Sequence, residues 1–133
     1  MKGFDRIMKQ LRYILAGICI IIIGVIFNMI FTFTVHPSVI FVRDVNVTNN
    51  IITMEGEFAA SAIWFKGYKA EYHNNMLYIK IKGSSIPFPN LSGSINISIP
   101  NKYGTINEIY LQDNVPSGNI IIWPKDKRPF VNQ

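Results

Sequence analysis

Glu55 and Glu57 are the residues whose spacing comes nearest to a catalytic pattern. Two apart on an extended strand, both side chains point to one face. A pair of carboxylates is what a glycosidase uses as acid and base or nucleophile. It is also the beginning of a calcium shell, but calcium takes six or more oxygen ligands, and no other acidic residue lies near in sequence. A hydrolase also needs a cleft, and the chain beyond its apolar run builds only a small core. Zinc asks for three or four Cys, His or carboxylate ligands. The two histidines, His36 and His73, stand far apart, and Cys19 lies within an apolar run. There is no Gly-x-Ser-x-Gly elbow, no phosphate-cradling glycine loop and no Cys-x-x-Cys pair. The expectation is therefore a non-enzyme, with no catalytic residue, no metal and no cofactor.

Aromatic residues offer a different chemistry. Tyr78, Lys80 and Lys82 alternate with Leu77, Ile79 and Ile81, so the tyrosine and lysines face outward when the aliphatic residues face a core. Tyr110 and Glu108 stand opposite Ile109 and Leu111 in the same way. An outward set of Tyr and Lys suits contact with a partner protein, a glycan or lipid headgroups, since aromatic residues provide large rigid contact area. Tyr78, Lys80, Lys82 and Tyr110 form the expected partner face.

These residues need elements to hold them, and the first element is not a strand. Residues 13–35, YILAGICIIIIGVIFNMIFTFTV, contain no charged residue. As a helix rising ~1.5 Å per residue, the run crosses a hydrocarbon layer of ~30 Å. It is too long for the apolar region of a cleavable signal, and no Ala-x-Ala pattern follows it. Residues 1–12 carry Lys2, Arg6, Lys9 and Arg12 against Asp5. Positive flanks stay in the cytoplasm, so the N-terminus is expected inside and the rest of the chain outside. Within the run Gly17, Gly24, Asn28 and Thr32 fall on one helical arc. Small residues permit close helix approach and a buried amide seeks a partner, so this stripe is the expected helix-packing face.

From residue 36 onward the pattern changes to period two. Runs at 39–48, 51–58, 59–73, 76–82, 94–100, 105–112 and 119–123 read as strands, separated by Asn, Gly, Pro and Ser turns. Asn74-Asn75 reads as a two-residue hairpin turn, because Asn tolerates positive φ. The segment 83–93 reads as a loop and residues 125–133 as a loose polar tail. The formal net charge is +5, but +3 of it belongs to the short N-terminal stub. Nine basic and seven acidic residues share the remainder, which is not the clustered basic face of a nucleic-acid binder. Without cysteines beyond Cys19, the later part of the chain forms no internal disulfide.

The expected organisation is a basic cytoplasmic stub (1–12), a transmembrane helix (13–35), an extracytoplasmic β domain (36–124) and the tail (125–133). The fold class is all-β: a small antiparallel sandwich or barrel of six or seven strands after one membrane helix. The expected role is a non-enzymatic binding or accessory module at the cell envelope, anchored in the cell membrane. Its partners are the lipid bilayer and a protein in or at the membrane, with self-association one form of the latter. The competing readings are a membrane-tethered hydrolase using Glu55 and Glu57, and a β protein secreted after signal cleavage.

Overall fold

The computed structural model describes residues 1–87 and 89–127; Phe88 and residues 128–133, which take in most of the expected tail, lie outside the described residues. The chain forms two units, a helix over Met1–Phe31 and a β unit from Thr32 onward.

Helix α1 spans Lys2–Phe31. It differs from the expected helix over 13–35 at both ends. It starts inside the basic stub, where Asp5 in the first turn favours the positive end of the helix dipole. It stops at Phe31, and Thr32–Thr34 form strand β1 instead. Hydropathy counts Phe, Thr and Val alike in helix and strand, but the alternation Thr32-Phe33-Thr34-Val35 is a strand pattern, and β-branched residues lose side-chain freedom in a helix. The uncharged part that remains helical, Tyr13–Phe31, still reaches ~28 Å. No residue of α1 is buried, and the helix is long and apolar enough to cross a membrane. Thr32 therefore leaves the expected packing stripe, while Gly17, Gly24 and Asn28 remain on α1 within an arc of ~40°.

The β unit is rich in strands: β2 (Ile40–Val47), β3 (Ile51–Phe58), β4 (Trp64–His73), β5 (Met76–Ser84), β6 (Ser94–Pro100), β7 (Glu108–Leu111) and β8 (Ile120–Trp123) follow β1. They make two sheets. In the smaller, β3 lies between β2 and β6, all antiparallel. In the larger, β5 is the centre. β4 pairs along its whole length on one side. On the other side β7 takes residues 76–79 and β1 takes residues 82–84, end to end, with β8 beyond β7.

The β5–β7 pair is parallel, against the expectation of an antiparallel fold. The chain leaves β5, contributes β6 to the smaller sheet, and returns as β7. A parallel neighbour needs such a long crossover; here a strand of the other sheet serves instead of a helix. The hairpin at Asn74-Asn75 has both residues at positive φ, 51° and 60°, as a tight two-residue turn requires.

Alternation decides the core. Leu77, Ile79 and Ile81 of β5 and Ile109 and Leu111 of β7 point inward from the larger sheet. Ile52 and Met54 of β3 and Ile95, Ile97 and Ile99 of β6 do so from the smaller. All belong to one buried cluster, and each fully buried side chain of this size contributes ~1.5–3 kcal/mol. Close approach leaves no room for a side chain at Gly83, where a Cβ would meet methyl groups of Val35 and Ile63 at 2.6 and 2.9 Å.

Candidate functional site

The four expected partner-face residues lie on the solvent face of the larger sheet. β5 buries Leu77, Ile79 and Ile81, so Met76, Tyr78, Lys80 and Lys82 point the other way. The parallel pairing then sets Tyr110 directly beside Tyr78. Their rings stack with centroids 5.4 Å apart and 17° between planes. Such a pair adds ~0.5–1.5 kcal/mol beyond the area it covers.

One carboxylate organises the surroundings of this stack. The Tyr110 hydroxyl donates to Glu108 Oε2 at 2.5 Å, and Lys127 Nζ donates to Oε1 at 2.8 Å. The hydrogen bond from Lys127, then that from Tyr110, holds the Glu108 carboxyl below its usual range. Glu108 in turn raises the Lys127 ammonium. Donation to Glu108, helped by partial burial, pushes the Tyr110 phenol up to about 12. At neutral pH the group is a neutral phenol, a carboxylate and an ammonium. A shallow open depression beside it is lined by Asn74, Met76, Ile106, Asn107, Glu108 and Lys127.

The other half of the face is cationic. Lys80 stands opposite Lys69 of β4, a pairing of like charges that disfavours the sheet. Glu71 relieves it: its carboxylate takes Lys69 Nζ at 3.0 Å, and that contact lowers the Glu71 carboxyl. Lys82 Nζ donates to Thr34 Oγ1 at 3.0 Å, and Lys66 Nζ donates to Thr32 Oγ1 at 2.5 Å.

Glu55 and Glu57 are placed on the opposite side of the unit, on the solvent face of the smaller sheet. Register adds what spacing alone does not give: Asp44 stands across from Glu55. Glu57 is engaged by Arg43, whose Nη2 lies 2.7 Å from Oε2. Among the described residues no three His, Cys, Asp or Glu side chains converge as metal ligands. His73 is exposed at the end of β4, across from Met76.

One constellation escapes the sequence. His36 Nε2 lies 3.1 Å from Asp113 Oδ2, and Ser38 Oγ lies 2.7 Å from His36 Nδ1. A serine, a histidine and an acid in relay is the arrangement of a nucleophilic hydrolase, with the two ring nitrogens exchanged. The neighbouring backbone is committed elsewhere. Ser38 N donates to the same Nδ1 at 3.1 Å, Val39 N to His36 O, and Ile40 N to Pro37 O. None of these three points at a developing oxyanion, the part such chemistry depends on most. Asp113 also accepts from Asn114 N at 2.8 Å, while its own N–H donates to Asn119 Oδ1. The arrangement clips the segment after β1 to the β7–β8 loop. No sequence signal links position 36 to position 113.

The chain matches no known family model, no curated protein and no solved structure.

Proposed function

We propose that this chain is a single-pass protein of the cell membrane that displays a small β sandwich outside the cytoplasm as a non-enzymatic binding module. In this reading α1 crosses the bilayer with its basic start on the cytoplasmic side. The two sheets pack around their shared core and present the β4–β5–β7 surface to a protein partner at the cell envelope. The observation that carries the reading is the half-exposed Tyr78–Tyr110 stack, fixed on a central strand and flanked by lysines. Tyrosine is among the residues enriched at the energetic centres of protein interfaces. The carboxylates of the hydrolase reading sit on the other face, with Glu57 already paired.

The test is a photoreactive benzoylphenylalanine in place of Tyr78, with Asn96 on the smaller sheet as the control position, irradiated in native membranes. A discrete adduct from position 78 that vanishes in Lys80→Glu, with no adduct from position 96, is expected. Equal capture from both positions, or adducts indifferent to Lys80→Glu, would remove the reading. Reagent added to intact cells should reach Lys80 and leave Lys2 untouched; the reverse would invert the topology.

A further inference from the structure

We infer that the end of the larger sheet that follows α1 is a contact surface for the anionic phospholipid headgroups of the bilayer. This rests on the membrane-anchored reading above. The chain leaves α1 at Phe31 and enters β1 at the next residue. β1 pairs in register with β5, Thr32 opposite Ser84 and Thr34 opposite Lys82. Lys82 is thereby fixed across from a residue only three positions past the last helical one, ~10 Å of chain at most.

A bulge between Phe65 and Gly67 sets Lys66 outside the regular β4–β5 ladder, and bulges re-aim side chains. Its ammonium lies on the hydroxyl of Thr32, the first residue past Phe31, and that of Lys82 on the hydroxyl of Thr34. Two cations are thus held at the first and third residues beyond a helix whose end marks the edge of the hydrocarbon layer. The Lys82 ammonium carries three donors, so its contact with the Thr34 hydroxyl leaves capacity for phosphate oxygens. Lys80 extends the same charge, while Lys69 is paired with Glu71. Glu71, the one carboxylate on β4 and β5, is already occupied by Lys69.

The experiment uses the full chain in vesicles of phosphatidylcholine, with and without phosphatidylglycerol. Each lysine's acylation by a water-soluble amine reagent is followed by mass spectrometry. With phosphatidylglycerol, Lys66 and Lys82 should react roughly fivefold more slowly, the factor expected per lysine at an anionic surface. Lys102, in the turn after β6, should not change. Salt at ~1 M, where the screening length is ~3 Å, should abolish the protection. Equal rates in the two vesicles would overturn the inference. Equal protection by inorganic phosphate in phosphatidylcholine vesicles would also overturn it, in favour of a free-phosphate site. Failure of the anchored reading looks different: an alkaline carbonate wash would then release the chain, whereas a chain lacking only the headgroup contact stays embedded.

Discussion

The strands of the larger sheet carry Lys66, Lys69, Lys80 and Lys82 outward against Glu71 and Glu108, a net of +2, around two stacked tyrosines. The solvent face of the smaller sheet carries Asp44, Glu55 and Glu57 against Arg43, a net of −2, among Asn46, Thr53, Ser94, Asn96 and Ser98. The nearly even charge count of the β unit conceals this separation. Inward, the two sheets are alike, aliphatic and rich in isoleucine. Outward, one sets stacked tyrosines among lysines and the other is acidic and rich in amide and hydroxyl side chains. The contrast teaches that whole-domain charge is a poor guide to partners when strands alternate. Each strand chooses its outward residues independently of its inward ones.

The contrast has meaning only if both faces belong to one cooperative body, and the largest expected effect tests that. Ile79 of β5 and Ile97 of β6 lie in the same buried cluster, at 0% and 4% exposure. Ile79→Ala and Ile97→Ala should each cost ~2–5 kcal/mol in urea denaturation of the detergent-solubilised chain. Both should shift a single transition of the β unit. Two separate transitions, each sensitive to one substitution, would mean that the faces belong to independent bodies.

Much of this was legible from alternation alone. Leu77, Ile79 and Ile81 inward with Tyr78, Lys80 and Lys82 outward follows from period two, as does Tyr110 opposite Ile109 and Leu111. The Asn74-Asn75 turn followed from the tolerance of Asn for positive φ. Pairing was not legible. Nothing local tells Tyr110 to lie beside Tyr78, because the two strands meet only after the chain has crossed to the other sheet and back. β1 was hidden for another reason: its Thr and Phe residues extend an apolar run, and a count of hydropathy cannot see where a helix gives way to a strand. Lys66 and Lys82 gained their position from that hidden strand, and the His36–Asp113 clip joins two loops far apart in sequence.

A second test sharpens the difference in binding. Tyr78→Ala or Tyr110→Ala should lower capture of the partner by roughly tenfold or more, as truncation of an interface anchor does. For this the photoreactive group is placed at Glu71, on the same face as Tyr78. Glu55→Gln with Glu57→Gln should leave capture unchanged. A loss of capture in the double glutamine variant, with the tyrosine variants intact, would exchange the roles of the two faces.

The sheets also differ in how their bulges tolerate bulk. In the smaller sheet, beside the irregularity between Val42 and Asp44, a Cβ at Gly56 would meet Phe41 O at 2.7 Å. In the larger sheet the irregularity between Phe65 and Gly67 leaves open space at Gly67. Gly56→Ala should destabilise by ~1–3 kcal/mol, because backbone must shift to admit the methyl group. Gly67→Ala should be close to neutral in the same urea measurement. Equal costs would show that the two bulges pack alike, and the asymmetry would lose its structural basis.

The smallest effect concerns a single proton on the larger face. The Tyr110 phenol is raised to about 12, first through its hydrogen bond to Glu108 and then through burial. In the unfolded chain a tyrosine ionises near ~10. A group whose pKa is raised by folding stabilises the fold fully below the unfolded value and loses that contribution as pH climbs through the folded one. The contribution of Tyr110 is therefore complete at neutral pH and fades from about pH 10 through about 12. Because the group lies at the surface, the change in stability is slight, and direct titration is the better measure. Followed by phenolate absorbance, Tyr110 should ionise later than an ordinary tyrosine. Glu108→Gln removes the negative charge that opposes the phenolate, so Tyr110 should then titrate nearer ~10. Tyr78→Phe retains the ring stack and should leave the late titration in place. If Glu108→Gln leaves the curve unmoved, Glu108 does not govern the stack, and the tyrosine pair must be held by the sheet register alone.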